Sequence, residues 1–325
     1  MPQLGAPLHW AIFVAVLVFV LALDLGVFGR QARVVPLRQA VAWTLFCVSL
    51  ACGFATWLWI GFGTRPALEF VAGYLVEYAL SVDNLFVFLV VFTFFAVPAA
   101  FQRRALFWGI LGAILLRGVF ILAGTALIAR FHWTIYLFGA FLVWTGLKLL
   151  VAGEEVVEIE TNPALRLARR FLSVTAEYHG ERFFVRLDGR RLATPLFLVL
   201  VVIDLVDVVF AVDSIPAVFG VTRDPYLVFT SNMFAILGLR ALYFLLADFM
   251  NRFHYLKFGL GLVLAFVGAK MIASAWVEIP IGGSLAVIVA LLGGSVAVSW
   301  LAPPTARPES AQKSAAKSQS PSNSR

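Results

Sequence analysis

Charged residues are scarce in this chain of 325 residues: Asp, Glu, Lys and Arg together make up 13%, whereas an ordinary soluble domain has about a quarter. Hydrophobic residues make up 62% of the sequence, and the mean hydropathy is +0.94. These values exclude a string of soluble domains and predict a polytopic membrane protein. Because nothing shows the ten-residue alternation of a membrane β-barrel, we expect an all-α fold.

Cysteine and histidine are also rare, with two and four residues respectively. Cys47 and Cys52 lie in one apolar run and would point in different directions on a helix, so neither a disulfide nor a thiolate site is indicated. The histidines fall at the ends of apolar runs or in a loop. Zinc, copper and iron–sulfur chemistry are therefore disfavoured, and we expect no permanently bound cofactor.

Long apolar runs dominate the sequence, and each is long enough to cross about 30 Å of hydrocarbon as a helix. The first run lacks a preceding basic segment and a small-residue cleavage pattern, so we interpret it as a span rather than a removable signal peptide. The nine predicted spans are 8–29, 37–61, 67–96, 105–129, 133–152, 194–219, 226–249, 255–275 and 280–301.

Basic residues are distributed unequally between the two sets of loops that these spans create. One set and the C-terminal tail carry 18 Lys and Arg residues, whereas the other set carries only Arg65, Arg130 and Arg223. By the positive-inside rule, the C-terminus and the central loop are cytoplasmic and the N-terminus lies outside, in a bacterial-type cytoplasmic membrane. This topology explains the net charge of +7 without invoking nucleic acid as a partner.

The predicted membrane domain covers residues 1–302, with a cytoplasmic loop, 153–193, inserted near its middle. Within that loop, 165–172 alternates apolar and arginine residues like a short surface helix. Asp188-Gly189 between two short apolar and basic stretches predicts a β-hairpin. Residues 303–325 are rich in Pro, Ser, Ala, Gln and Lys, a composition typical of disorder.

Two acidic stretches lie inside the apolar runs, where an ionised side chain costs several kcal/mol unless it faces a bundle interior or an aqueous cavity. The first stretch runs from Glu77 to Asn84 and contains Asp83; the second runs from Asp207 to Ser214 and contains Asp213. Both follow one pattern, with a carboxylate, three apolar residues, a small residue, Val, Asp and a small polar residue. We therefore predict two facing acidic helices that bind a cation in mid-membrane.

The spans that follow each acidic stretch also match. Arg117 is answered by Arg240, and Lys148 by Lys270, so each half supplies acid, arginine and lysine in the same order. Within this match, Phe138-Gly139 corresponds to Phe258-Gly259. Because each copy has three spans, the second must enter the membrane from the opposite side, which predicts an inverted repeat of the kind that builds secondary transporters.

Helical geometry separates the acids of each stretch. Glu77, Ser81 and Asn84 share one face, as do Asp207, Ala211 and Ser214, whereas Asp83 and Asp213 point about 120° away. A common site therefore requires local unwinding, for which Pro216 gives a reason in the second copy, or else two adjacent sites.

Asp204 adds a carboxylate one turn before Asp207, where the first copy has Tyr74. Carboxylate, amide and hydroxyl oxygens suit a hard or borderline divalent cation such as Mn²⁺, Mg²⁺ or Ca²⁺. The predicted metal set is Glu77, Asp83, Asn84, Asp204, Asp207, Asp213 and Ser214.

The intramembrane bases have two interpretations. Arg117, Arg240, Lys148 and Lys270 either keep an empty acidic site neutral or snorkel to the surface, or they move onto the carboxylates when the metal leaves. Asp24, near the end of the first span, is either an entry carboxylate or a helix-end group.

Several motifs together resemble the TerC/Alx family of integral membrane proteins. They are 23–28, 77–87, Thr194-Pro195-Leu196, 210–217, Thr230-Ser231-Asn232, 236–240 and 243–247, within a resemblance that runs from about 8 to 301. It implies the architecture of LysE-type transporters, manganese efflux or metal supply to exported enzymes, and an association with tellurite resistance. It also implies metal-handling roles for Glu77, Asp83, Asn84, Asp207, Asp213 and Ser214. The family usually has Glu where this chain has Asp204.

Two functions follow from these observations. The leading hypothesis is Mn²⁺ efflux by alternating access, with protons exchanged on the same carboxylates; lipid and a homo-oligomer are possible partners. The alternative is a membrane factor that assists assembly or metallation of membrane or exported proteins, with tellurite resistance as an indirect phenotype. An intramembrane aspartyl protease is disfavoured because Gly-x-Gly-Asp is absent, so we expect no enzymatic activity.

Overall fold

The computed structural model describes residues 4–28, 37–151, 174–175, 177–187, 190–246, 255–274, 276–277 and 279–301. Within these ranges, eight helices are long and apolar enough to cross a membrane, which confirms an all-α membrane fold. The predicted surface helix at 165–172 and the tail at 303–325 lie outside the described residues. The helices are α1 Pro7–Phe28, α2 Leu37–Phe62, α3 Thr64–Phe94, α4 Ala99–Arg130, α5 Thr134–Val151, α6 Pro195–Phe219, α7 Pro225–Leu237, α8 Leu239–Leu246, α9 Leu256–Ala273 and α10 Ile281–Leu301.

In the part of the chain that the structure describes, the seventh predicted span consists of two consecutive helices and not one. Residues 226–246 form α7 and α8, which meet at Gly238. Gly238 retains right-handed φ and ψ of −82° and −13°, and its carbonyl still accepts from Leu242 N at 3.0 Å. Glycine is among the weakest helix formers, and here it interrupts the helix without a sharp change of direction in its own backbone.

Of the two alternatives for the second copy, local unwinding at Pro216 is not observed, because α6 continues through this residue to Phe219. Ile215, Pro216, Ala217 and Val218 are all buried. Proline is tolerated in membrane helices where neighbouring elements support the freed backbone groups. Packing therefore keeps the helix intact at the position where the lost amide donor predicts a break.

Side-chain caps fix where two helices begin. Thr194 accepts a hydrogen bond from Phe197 N at the start of α6, and Asp224 accepts from Tyr226 N and Leu227 N at the start of α7. In both cases proline occupies the first turn, where its missing donor is not needed. These caps fix the first residue of each helix, and with it the position along the helix of the acidic stretch in α6 and of Thr230-Ser231-Asn232 in α7.

The two sets of helices pack crosswise, as two copies related by a pseudo-two-fold axis would. Helix α3 packs on α7, α4 packs on α6, and α5 packs on α9. The α5–α9 contact is reciprocal: a Cβ on Gly146 would lie 2.5 Å from the Gly261 carbonyl oxygen, and one on Gly268 would lie 2.5 Å from that of Gly139. This reciprocity makes Gly139 the repeat equivalent of Gly261, and Gly146 that of Gly268, so the predicted match of Gly139 with Gly259 is corrected.

The predicted hairpin is confirmed by two antiparallel strands, β1 Phe184–Leu187 and β2 Arg190–Ala193, in which Leu187 pairs with Arg190. The two residues that join them lie outside the described ranges. The segment before β1 reaches the α3–α4 turn, where Tyr178 donates to the Phe95 carbonyl at 2.8 Å. Glu181 lies 4.0 Å from Arg103 and 3.8 Å from Arg104. The hairpin region is therefore tied to both repeats, since β2 leads directly into α6.

Candidate metal site

A buried arginine joins the two acidic helices. Arg117, in the middle of α4, has 0% of its surface exposed. Its Nε and Nη2 donate to Asp207 on α6 at 3.2 and 3.0 Å, while Nη1 forms an ion pair with Glu77 on α3. One guanidinium thus pairs with the carboxylate that opens each acidic stretch.

Two neutral side chains complete this arrangement. Ser214 Oγ accepts from Arg117 Nη1 at 3.3 Å. With the Asn84 amide oriented so that its nitrogen donates to the Leu80 carbonyl, its oxygen accepts from Arg117 Nη2 at 3.2 Å. We call Glu77, Asn84, Arg117, Asp207 and Ser214 the arginine network.

The predicted helical faces are confirmed by burial. Glu77, Ser81 and Asn84 are all buried on α3, and Asp207, Ala211 and Ser214 are all buried on α6. Asp213 is only half-buried and accepts from Thr145 of α5 at 3.5 Å. Because α6 is continuous, the carboxylates of Asp207 and Asp213 lie in separate surroundings, the first against Arg117 and the second against Thr145, and a metal site at either stays a prediction.

Asp204 lies outside the arginine network, in a groove of α4. A Cβ added to Gly112 would lie 2.6 Å from Asp204 Oδ1, and one added to Gly109 would lie 3.8 Å from the same atom. Among the described residues, Oδ1 is buried without a hydrogen-bond partner. The glycines of α4 therefore make room for a carboxylate whose Oδ1 no described group satisfies.

A cavity of about 180 Å³ lies between α3, α5, α6 and α9. It is lined by Asn84, Asp213, Thr145, Lys148 and Lys257 together with apolar side chains. Asn84 also belongs to the arginine network, so it connects the cavity with the buried charges. The cavity thus lies between the two lysines, at the ends of α5 and α9, and Asn84 of the arginine network.

The remaining predicted residues are more dispersed. The side chains of Asp83 and Arg240 lie outside the described part of the structure. Lys270, the repeat partner of Lys148, does not line the cavity and is instead an electrostatic neighbour of Glu69. Asp24 is buried near the end of α1, and its two interpretations both stay predictions.

Sequence reasoning missed a polar cluster near the start of α3. Glu69 Oε1 pairs with Arg65 Nε at 2.9 Å, and Glu69 Oε2 accepts from Thr222 Oγ1 at 2.7 Å. Thr222 lies in the α6–α7 turn, so this contact joins the two repeats. Glu69 falls inside the predicted span 67–96, and an acid at that place is a sequence feature that indicates the cluster.

The arrangement holds a guanidinium where the sequence predicts a metal ion. Among the described side chains, no group of three or more His, Cys, Asp and Glu residues is arranged to hold a metal. A divalent cation could use the oxygens of Glu77, Asp207, Asn84 and Ser214 only if the guanidinium first withdrew, because both positive groups need the same lone pairs. A divalent cation and the guanidinium would therefore compete for the same oxygens, and the predicted metal set stays a prediction.

The family model described as "Integral membrane protein TerC family" matches residues 62–307 of this chain. This chain belongs to the TerC family. It is 50% identical over 300 residues to the "Uncharacterized membrane protein STKORF319" of Myxococcus xanthus, covering 92% of this chain and 94% of that one.

It is also 48% identical over 301 residues to the "Putative membrane-bound redox modulator Alx" of Escherichia coli strain K12, covering 90% and 94%. A protein of the same name from Photorhabdus laumondii is 45% identical over 311 residues, covering 93% and 97%. The chain is thus a TerC family membrane protein with relatives over almost its whole length. No solved structure matches it.

Proposed function

We propose that this TerC family protein exports a divalent cation, Mn²⁺ in the first place, across a bacterial-type cytoplasmic membrane. The observation that carries the proposal is the pairing of Arg117 with Glu77 and Asp207, one carboxylate from each repeat. Mid-membrane carboxylates at a repeat interface are the usual substrate site of inverted-repeat transporters. Oxygen-only side chains in this network favour Mn²⁺, Mg²⁺ or Ca²⁺ over softer metals.

In this mechanism Arg117 acts as a tethered competitor of the substrate. When the cation is absent, the guanidinium neutralises carboxylates that would otherwise be buried and unpaired, at a cost of several kcal/mol. An arriving cation displaces it, and its return after release restores the starting charge. Since Arg117 pairs with both repeats at once, its position depends on how the repeats are arranged relative to each other.

The cavity supplies the approach to the site in this proposal. Lys148 and Lys257 lie at one end of α5 and α9, and the excess of basic loop residues supports a cytoplasmic position for that end. Asp213 and Thr145 would be the first oxygens that an incoming cation meets, followed by Asn84. Protons that bind the same carboxylates on the return step would provide the counter-ion.

Thiol redox chemistry, which the relatives' name brings to mind, finds less support in the positions of the two cysteines. Cys47 is buried and Cys52 is exposed on the same helix, so they do not form a vicinal pair. Replacing both with serine should leave cation flux unchanged if the protein works as proposed.

The proposal is tested with purified protein in proteoliposomes, with Mn²⁺ outside and a pH-sensitive dye inside. Wild-type protein should give saturable Mn²⁺ flux with opposing proton movement, and Asp83→Asn or Asp213→Asn should abolish it. Glu177→Gln, at an exposed position outside the spans, serves as the matched charge control and should transport normally. Folded wild-type protein without flux, or unchanged flux in both Asp variants, would refute the proposal.

A further inference from the structure

Asn232, in the middle of α7, is a fully buried amide that no described group satisfies. It has 0% of its surface exposed, and neither its oxygen nor its nitrogen has a hydrogen-bond partner among the described residues. Its neighbours behave differently, because Thr230 donates to the Tyr226 carbonyl and Ser231 to the Val228 carbonyl of their own helix. Burying an unsatisfied amide costs about 1–3 kcal/mol, so its presence requires an explanation.

Packing contacts place Asn232 between the two helices that carry Glu77 and Arg117. A Cβ on Gly73 of α3 would lie 3.3 Å from Ser231 Cβ, immediately beside Asn232. On the other side, a Cβ on Gly118 of α4 would lie 3.5 Å from the ring of Phe229, one turn before Asn232. Glu77 lies one turn beyond Gly73, and Arg117 is next to Gly118.

The repeat gives Asn232 a counterpart on the opposite side of the molecule. It matches Gly109 of α4, just as Arg240 matches Arg117. Gly109 and Gly112 form the groove for Asp204, whose Oδ1 is likewise buried and unsatisfied. The position in the first copy that matches Asp204 is Tyr74 of α3, which carries no acid. On that side, the buried polar group without a partner is Asn232 of α7. Among the described residues, the α3–α7 pair thus contains the unsatisfied amide of Asn232, and the α4–α6 pair contains the unsatisfied Oδ1 of Asp204.

We propose that Asn232 is a ligand of the transported divalent cation, supplying its amide oxygen from α7 on the side of the arginine network where Glu77 lies. The inference rests on the proposed transport function and adds α7 to the helices that hold the substrate. Amide oxygens are ordinary ligands for hard divalent cations. A group that is satisfied only when the cation is bound would be left without a partner when Arg117 occupies the carboxylates.

The test uses Asn232→Leu, which has a similar volume but no polar atoms. If the buried amide only lowers the stability of the metal-free protein, replacing it with an apolar side chain should raise that stability. We therefore expect the metal-free unfolding temperature of Asn232→Leu to equal or exceed that of the wild type. Its Mn²⁺-dependent increase in unfolding temperature should be lost, with at least a tenfold weaker Kd, because ligand binding raises the apparent stability only in proportion to affinity.

Asn232→Asp keeps an oxygen ligand and should still bind Mn²⁺, while Ser231→Ala is the matched neighbour control and should bind like the wild type. Unchanged Mn²⁺ affinity in Asn232→Leu would overturn the inference while leaving the proposed function intact. A lower metal-free unfolding temperature in Asn232→Leu would overturn it in favour of a structural role. Wild-type protein without any response to Mn²⁺, Mg²⁺ or Ca²⁺ would instead refute the transport function, and the ligand role with it.

Discussion

At the scale of single residues, Arg117 is the group on which the buried charges depend. Its guanidinium bonds Asp207 through two nitrogens and Glu77 through a third contact. Bidentate arginine–carboxylate pairs are among the strongest polar contacts in proteins. Removing one partner of a buried pair is costly because the other charge stays uncompensated.

Arg117→Gln should therefore destabilise the metal-free protein by about 3–5 kcal/mol. Added Mn²⁺ should recover part of this loss, since the cation can take over the neutralisation of Glu77 and Asp207. Thermal unfolding of detergent-purified protein, with and without Mn²⁺, measures both effects. An equal loss of stability with and without the metal would argue against competition between Arg117 and the cation.

The groove beneath Asp204 leads to a second prediction. In Gly112→Ala the new methyl group would lie 2.6 Å from Asp204 Oδ1, so the carboxylate must move, and we expect Mn²⁺ flux to fall at least tenfold. Gly118→Ala is the matched control on the same helix, because its methyl group would meet only Phe229 at 3.5 Å, an ordinary contact. Equal flux in the two variants would show that the position of Asp204 is unimportant for transport.

The sequence predicts which buried charged residues matter better than it predicts which side chains they contact. Intramembrane Glu77, Asp207 and Arg117 are recognisable because charge is expensive in a bilayer, and their shared faces follow from helical geometry. Arg117 forms ion pairs with both acids, whereas Lys270, in the second repeat, has Glu69 as an electrostatic neighbour. These contacts depend on how separate helices pack. Spacing along one chain contains no information about such distances.

At the scale of helices, α5 and α9 approach each other more closely than side chains would allow. Gly139, Gly146, Gly261 and Gly268 bring the two backbones into contact. Small residues at such interfaces let membrane helices pack through their backbones. The pair also borders the cavity, since Thr145 and Lys148 come from α5 and Lys257 comes from α9.

Gly146→Ala should separate the two helices, because its methyl group would lie 2.5 Å from the Gly261 carbonyl and 2.6 Å from Ala265 N. We expect a loss of about 1–3 kcal/mol in stability from overpacking, together with reduced flux. Gly293→Ala in α10 meets no atom within 4 Å and should be neutral or slightly stabilising, since alanine favours helix. Unfolding temperatures and flux of the two variants, compared side by side, provide the measurement.

Interruptions in helices were the least predictable elements. Pro216 is the stronger helix breaker by intrinsic preference, yet α6 is continuous there and the break occurs at Gly238. Tertiary packing decides between them: Pro216 is buried among other buried residues of α6. The existence of spans follows from hydropathy alone, whereas their continuity does not.

At the scale of the whole molecule, the two repeat-related ends, near Lys148 and near Lys270, differ in how the repeats meet. The Lys148 end borders a cavity, while near Lys270 the repeats are joined by the bond between Thr222 and Glu69 at 2.7 Å. Under the proposed transport function, a cavity at one end and a hydrogen bond between the repeats at the other form the arrangement that alternating access requires.

Thr222→Val should weaken the contact between the repeats near Lys270, because it removes the hydrogen bond to the Glu69 carboxylate. The loss of such a bond corresponds to about a tenfold change in the equilibrium between joined and separated repeats at this end. In a cysteine-free background, we expect Val218→Cys to react about tenfold faster with an impermeant thiol reagent, while Leu149→Cys at the cavity reacts more slowly. Thr222→Ser should restore the original rates. Faster reaction at both positions would indicate general loosening and contradict this interpretation.

Arg117 also bears on how the protein is made. A membrane protein whose carboxylates could be neutralised only by its substrate would have to be synthesised in the presence of that metal. Here the chain carries its own cation to Glu77 and Asp207, so insertion and folding need no metal supply. Under the proposed transport function, a cell can therefore keep the folded protein in its membrane during metal scarcity and use it as soon as the metal becomes abundant.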